Sequence, residues 1–391
     1  MHSVCQGVVR QLCNLWLDSR NHEKNFYLGR NVELLDERLS VICPPSEITR
    51  APRSIKERKF WKASEWRAFL FYGLVVLNGL LPREYLEHLF LLVHGVHTLL
   101  GNRISDEMLS RANACLVKFA TDMEKLYGLT NCTFNVHVMT HLAEGVRNCG
   151  PLWATSAFAF EANNHFLLKM FNGTQYVPQQ ICDTFILSQK LPGIGKECIR
   201  DDACPRVRHL FNKLSKDKIP TNSERALTRA VTGLGNGQAV RLTPSETISV
   251  AKMINRDVAN RSATFYNRFI VNHVLYTSES YTRSQRHHDY YVQIDSLTTK
   301  YGIVVGLYRV QPDCQCSTAE LQTCQCEVYY VVIVKKLDLC GRRPLFSNKE
   351  CGVTSHFVRE CTNRDQIVAL KPDQIKDKGV HLKLRNRDFF F

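Results

Sequence analysis

The apolar residues in the first third of the chain recur with the spacing of α-helices. Between residues 4 and 17 they fall at positions 4, 8, 9, 12, 15 and 16, along one face of a helix. Three longer helices are predicted at residues 65–80, 84–100 and 105–127, with Ser64 and Ser105 as the expected N-caps. We expect these three helices to pack as a compact bundle. Further on, helices are predicted at residues 137–147 and 155–171.

The pattern changes to short alternating runs from about residue 264 onwards. These runs are rich in β-branched and aromatic residues and are separated by turns, which predicts strands. The predicted strands are residues 265–276, 290–294, 303–310, 328–334, 356–358 and 367–370. The expected fold class is therefore α+β, with a mainly helical N-terminal part over residues 1–215, a linker or boundary region over 216–263, and a small antiparallel β barrel or sandwich over 264–391.

Composition indicates a folded protein with an acidic partner. The 391 residues are 44% hydrophobic and 23% charged, and they carry a formal net charge of +14. Because neutralising phosphates releases counterions, this charge favours nucleic acid as the partner. We predict no signal peptide and no membrane-spanning segment, so sixteen cysteines point to reduced thiols or metal ligands in an intracellular protein.

A histidine pair and a glutamate are the first candidates for chemistry. His137 and His141 are four residues apart, so on a helix their imidazoles share one face, as two ligands of one metal ion would. Glu161 follows an apolar, aromatic run, where a carboxylate is costly unless it pairs with a cation or metal. From spacing alone, two ordinary helix histidines and a solvated glutamate are the favoured interpretation, because a lone H-x-x-x-H is a weak motif.

Three stretches together resemble the C-terminal half of CACTA (En/Spm-type) DNA transposases. They are Met1-His2 followed by Gly7-Val8-Val9, then Trp61-Lys62-Ala63-Ser64-Glu65, and then Asn135-Val136-His137 through His141-Leu142, Gly150-Pro151-Leu152-Trp153 and Phe160-Glu161 to Asn164. They occur in the order that they have in the family and span about residues 1–182. The resemblance implies part of a ribonuclease-H-like core with a helical insertion at about residues 64–128.

The resemblance also implies roles for individual residues. Glu161 would be the third metal-binding acid, acting with Mg²⁺ in DNA strand cleavage and transfer, and His137 and His141 would be two ligands of a structural Zn²⁺. In the family, the second catalytic Asp lies just before the Met-His pair, where this sequence begins. We therefore expect a transposase-derived protein that is catalytically incomplete as this chain, so its status as an enzyme stays open. The alternative is a non-enzymatic DNA- or chromatin-binding module. In either case we expect a nuclear protein whose partners are DNA and, beyond it, chromatin proteins or further copies of itself.

Two further groups of residues are candidates for binding. The basic segment, residues 50–62, suits contact with a DNA backbone, and Phe60 and Trp61 beside it are available for stacking. Its cationic residues are Arg50, Arg53, Lys56, Arg58, Lys59 and Lys62. A solvated linker is the open alternative. In the β-rich region four cysteines are spaced as two C-x-C pairs that would flank a hairpin turn and bind zinc, with free thiols in an exposed loop as the alternative: Cys314, Cys316, Cys324 and Cys326.

Overall fold

Helices dominate the first half of the chain and antiparallel strands the second. The computed structural model describes residues 1–199, 203–215, 224–283, 286–296, 298–312, 326–340, 344–384 and 387–391. The helices are α1 (Arg10–Leu17), α2 (Val32–Ser40), α3 (Ala63–Val76), α4 (Arg83–Leu99), α5 (Asp106–Tyr127), α6 (Phe134–Val138), α7 (Leu142–Cys149), α8 (Phe158–Leu167), α9 (Val177–Cys198), α10 (Pro205–Ser215) and α11 (Pro244–Ile254).

The strands form one large open antiparallel sheet and smaller sheets. They are β1 (Glu224–Ala226), β2 (Val231–Leu234), β3 (Gln238–Arg241), β4 (Ser262–Tyr266), β5 (Arg268–Val271), β6 (Val274–Thr277), β7 (Tyr291–Ile294), β8 (Tyr301–Val310), β9 (Tyr329–Leu339), β10 (Ser347–Asn348), β11 (Val353–Thr354), β12 (Arg359–Leu370), β13 (Ile375–Lys378), β14 (His381–Leu384) and β15 (Arg387–Phe390). The largest sheet has the order β13-β7-β8-β9-β12-β15-β14, and β4 joins it beside β8 and carries β3. It curls into a half-barrel. A second sheet has the order β1-β2-β5-β6.

A helix occurs in each predicted region, but several bounds differ: α3 ends at Val76, the region 137–147 is divided between α6 and α7, and α8 is shorter than predicted. The first helix begins as a π-helical segment, Ser3–Val9, and continues into α1. Ser105 caps α5, since its hydroxyl accepts a hydrogen bond from the Met108 N–H. The proposed Ser64 cap is wrong: α3 begins at Ala63, two residues earlier than predicted, with Lys62 as its N-cap, and the Glu65 carboxylate accepts a hydrogen bond from the Lys62 N–H at 2.7 Å. Glu65 is thus the third residue of the helix, and its carboxylate accepts from the N–H of the N-cap residue, as the glutamate of a capping box does.

The β region is antiparallel as predicted, but its start and its closure differ from the prediction. Strands β1 to β3 and helix α11 lie within residues 216–263, which were expected to be a linker. Residues 356–358 are not a strand and instead precede β12. Among the described strands, β13 and β14 end the sheet path, so the sheet is not a closed barrel. A glycine permits close packing inside it: a Cβ on Gly306 would lie 2.1 Å from the Phe265 ring.

The division into compact units also differs from the predicted boundaries. Residues Met1–Ala154 and Arg225–Phe391 form one unit, and Thr155–Glu224 form another. The two stretches of the first unit share one hydrophobic core, in which side chains from the β region, among them Phe346, Val358 and Phe389, pack with the helices. In the second unit, α10 packs against α9 where Gly195 meets the Phe211 ring. Apolar periodicity along the chain does not show that distant segments share one core, so residues 1–215 were expected to form one domain.

Candidate nucleic-acid interface

The basic segment is held to the body of the protein at its middle. The backbone of residues 55–60 is a 3₁₀ helix, and the Ser54 hydroxyl accepts a hydrogen bond from the Lys56 N–H at its start. Asp36, on α2, accepts hydrogen bonds from the Ser54 hydroxyl and the Ile55 N–H, each at 2.5 Å. The Trp61 indole N–H donates to the Ser54 carbonyl at 3.2 Å. These contacts give the segment a fixed shape rather than that of a solvated linker.

A buried carboxylate organises the first part of the segment. The Glu65 side chain is only 2% exposed, and Arg53 binds it with two hydrogen bonds, from Nε at 2.5 Å and from Nη2 at 3.1 Å. Arg53 also donates to the Glu57 carboxylate and to the Phe60 carbonyl, both at 3.1 Å. Burial raises the pKa of Glu65, but the hydrogen bonds from Arg53 and the Lys62 N–H outweigh it, so the pKa is lowered and the carboxylate stays charged. Arg53 is therefore mainly a structural cation.

The remaining cations of the segment divide into two groups. Lys56 pairs with Glu33 on α2 at 2.6 Å, and Arg58 is half-buried with its Nη1 near the Ile55 carbonyl. By contrast, Lys59 and Lys62 are exposed, and neither forms an ion pair with any residue that the structure describes. Lys59 lies 4.8 Å from the centre of the Phe60 ring, which is itself 63% exposed. Cations and an aromatic face are thus presented together to solvent.

Sequence reasoning missed a second basic stretch that lies beside the first. Arg286 and His287 line the same surface pocket as Arg50 and Arg53, although about 240 residues separate them in sequence. The pocket also contains Glu65. The run Arg286-His287-His288 is visible in the sequence, but only the fold shows that it adjoins residues 50–53.

The histidine pair has the predicted geometry. His137 lies on α6 and His141 follows it by one turn, and both are exposed. Their Nε2 atoms are 3.1 Å apart, close to the edge of about 3.3 Å that two nitrogens span in a tetrahedral zinc site. The pair thus fits two of the four positions around zinc. In the described part of the chain no group of three or more His, Cys, Asp and Glu residues is placed to hold a metal ion, so the other two positions have no identified ligands.

Glu161 lies in an environment different from the one that its neighbours predict. It is exposed on α8, in the second compact unit, and its apolar neighbours Phe160 and Phe166 are 67% and 42% exposed. Because the apolar run does not bury the carboxylate, the expected cost of desolvation does not arise. The burial argument for a cation at Glu161 therefore does not apply.

Three of the four cysteines in the C-x-C pairs lie outside the described residues: Cys314, Cys316 and Cys324. The fourth, Cys326, is half-buried. No disulfide bond joins any two of the cysteines that the structure describes.

Comparison with known protein families, with curated proteins and with solved structures finds no match to this chain. Within the described ranges, none of the helices combines the length and the apolarity needed to cross a bilayer.

Proposed function

We propose that this protein binds DNA through the exposed part of the basic segment and descends from a CACTA-type transposase. The observation that carries the DNA-binding role is the patch formed by Lys59, Phe60 and Lys62. Internal ion pairs engage Arg53 and Lys56, whereas these two lysines remain exposed beside an exposed aromatic ring. Cations contact the phosphates, and the ring is available to stack on an unpaired base.

The packing of the three family-like segments supports the proposed ancestry. The helix Ser3–Val9 contacts both α3, which begins within the Trp-Lys-Ala-Ser-Glu block, and α6, which carries His137. The contact with α6 is close: a Cβ on Gly7 would lie 2.6 Å from the Asn135 side chain. Segments that are far apart in the sequence but related by the resemblance are thus neighbours in space. In this proposal they are what remains of a ribonuclease-H-like core.

Strand cleavage is not part of the proposed present function. Two-metal phosphoryl transfer needs several carboxylates to hold both ions, and the resemblance assigns only Glu161 to this role. His137 and His141 would hold one side of a zinc ion and brace the junction of α6 and α7. A protein that binds DNA without cutting it corresponds to a nuclear DNA- or chromatin-binding module of transposase origin.

Binding to a labelled duplex at increasing salt tests this function. If two or three cations contact phosphates, the logarithm of the binding constant should fall with the logarithm of the salt concentration with a slope of roughly −2 to −3. The double variant Lys59→Ala/Lys62→Ala should bind more weakly, with a slope shallower by about 2. The matched control removes two exposed lysines elsewhere, Lys125→Ala/Lys349→Ala. Equal losses in the two double variants, or affinity that does not respond to salt, would contradict the proposal.

A further inference from the structure

The pocket shared by the two basic stretches has no role in the function proposed above. It has a volume of about 560 Å³. One wall comes from residues 40–53 and Glu65, and the other comes from Arg286 and His287. All of these residues belong to the first compact unit. The volume exceeds that of a single phosphate group, so a phosphate and part of the sugar attached to it would fit.

Backbone hydrogen bonds fix the second wall in place. The His288 N–H donates to the Pro44 carbonyl at 3.1 Å, and the Ser46 N–H donates to the Asp289 carboxylate at 2.8 Å. Asp289 is 3% exposed and also accepts a hydrogen bond from Lys378 Nζ at 2.7 Å. The backbone that follows Arg286 is therefore held against residues 44–46, which directly precede the basic segment.

The pocket carries excess positive charge. Its lining contains three arginines and one carboxylate, Glu65, so the formal balance is three minus one, or two positive charges. Arg53 is hydrogen-bonded to Glu65. Arg50 forms a longer ion pair with the same carboxylate, with its Nη1 at 3.8 Å, which is beyond hydrogen-bond distance, and its side chain is 51% exposed. Arg286 is exposed and forms no ion pair with any residue in the described ranges. Two guanidinium groups that line the pocket, one from each basic stretch, thus have donors available.

We propose that this pocket binds a phosphate group, with Arg50 and Arg286 as its direct ligands and Arg53 as the positioning residue between Glu65 and the anion. A guanidinium group offers paired N–H donors that match two oxygens of a phosphate, so two such groups can hold one phosphate from opposite sides. The His287 Nδ1 lies 3.3 Å from the Pro44 carbonyl, which leaves Nε2 as the nitrogen available to the pocket. This inference deepens the proposed function, on which it rests for the source of the phosphate: a nucleic-acid strand that passes Lys59 and Lys62.

Calorimetric titration with inorganic pyrophosphate tests the pocket without DNA. The unmodified protein should bind pyrophosphate, and Arg286→Ala and Arg50→Ala should each weaken binding about three- to tenfold, as expected for a charge-assisted contact at an accessible site. Arg286→Lys should be intermediate, because it keeps the charge and loses the paired donors. Arg283→Ala is the matched control, since Arg283 is an exposed arginine in the same loop that does not line the pocket. Arg283→Ala weakening binding as much as Arg286→Ala, or no variant weakening it, would overturn the proposal.

Oligothymidines with and without a 5′-phosphate identify the source of the phosphate. Tighter binding of the phosphorylated strand, lost in Arg286→Ala, indicates a terminal phosphate; equal binding of both strands, weakened equally by Arg286→Ala, indicates a backbone phosphate. Both results support the pocket. Pyrophosphate binding without any DNA binding would refute the proposed function and leave the pocket standing as a site for a free phosphate. DNA binding that Arg50→Ala and Arg286→Ala leave unchanged, with no pyrophosphate binding, would refute the pocket alone.

Discussion

Removing Arg53 should destabilise the protein far more than removing a neighbouring lysine of the same segment. Arg53→Met leaves the Glu65 carboxylate, which is 2% exposed, without its bidentate partner. Breaking a fully buried ion pair costs about 3–5 kcal/mol. Because the Arg53 side chain is 39% exposed and Arg50 stays within 3.8 Å, we expect about 2 kcal/mol.

Urea unfolding measures this difference directly. Trp61 and Trp66, with ring centres 4.8 Å apart, are buried close to Glu65 and should report unfolding by fluorescence. With a denaturant slope of about 3 kcal/mol per molar, the midpoint should fall by roughly 0.7 M. Lys56→Met is the control, since its partner Glu33 is 84% exposed and such pairs contribute about 0.2–1 kcal/mol or less.

The double variant Arg53→Met/Glu65→Gln completes the test. Glu65→Gln removes the buried charge that Arg53→Met leaves uncompensated. Much of the lost stability should therefore return, because a neutral amide does not need a cationic partner. If Arg53→Met and Lys56→Met shift the midpoint equally, or if the second substitution only adds to the loss, the role assigned to Glu65 is wrong.

Three further predictions concern other parts of the fold. Burial lowers the pKa of His88 to about 4, so as the pH falls the unfolded state takes up a proton on this imidazole before the folded state does. The free energy of unfolding should therefore be unaffected by His88 above about pH 6.5 and should fall by about 3 kcal/mol towards pH 4. His88→Gln should reduce this fall in unfolding curves measured across pH. Zinc titration should show a weak site that His137→Ala or His141→Ala abolishes, and zinc bound equally by both variants would place the metal elsewhere. Asp289→Ala removes the buried partner of Lys378, whose side chain is 4% exposed, and leaves it the exposed Glu47 carboxylate. This substitution should lower the free energy of unfolding by about 3 kcal/mol, and Asp289→Asn should lower it less. An unchanged midpoint in thermal unfolding would contradict the anchoring of the second pocket wall.

Local patterns predicted the helices well because caps and apolar spacing act over a few residues. Ser105 and the apolar period of α5 are an example, since both signals lie within the helix that they specify. The approach of the two histidine imidazoles was predictable for the same reason, because four residues along a helix bring side chains together regardless of the rest of the fold.

Long-range packing was not predictable from the same patterns. The hydrogen bond from the His288 N–H to the Pro44 carbonyl joins two backbone groups. Such groups are present at nearly every residue, so the sequence does not indicate which of them will pair. Likewise, the sequence does not distinguish among the cations of the basic segment. The fold pairs Arg53 with Glu65 and Lys56 with Glu33. Glu161 shows the converse error, because an apolar neighbourhood in sequence became an exposed one in space.

Hydrogen–deuterium exchange with and without a short DNA tests the central claim most directly, because it locates the contact surface without any substitution. DNA should slow exchange in peptides that cover residues 50–62, and the same experiment should show slower exchange around Arg286 and His287 if the pocket also takes part. Slower exchange confined to other parts of the protein, or no change at a DNA concentration that saturates binding, would contradict a DNA-binding role for the basic segment.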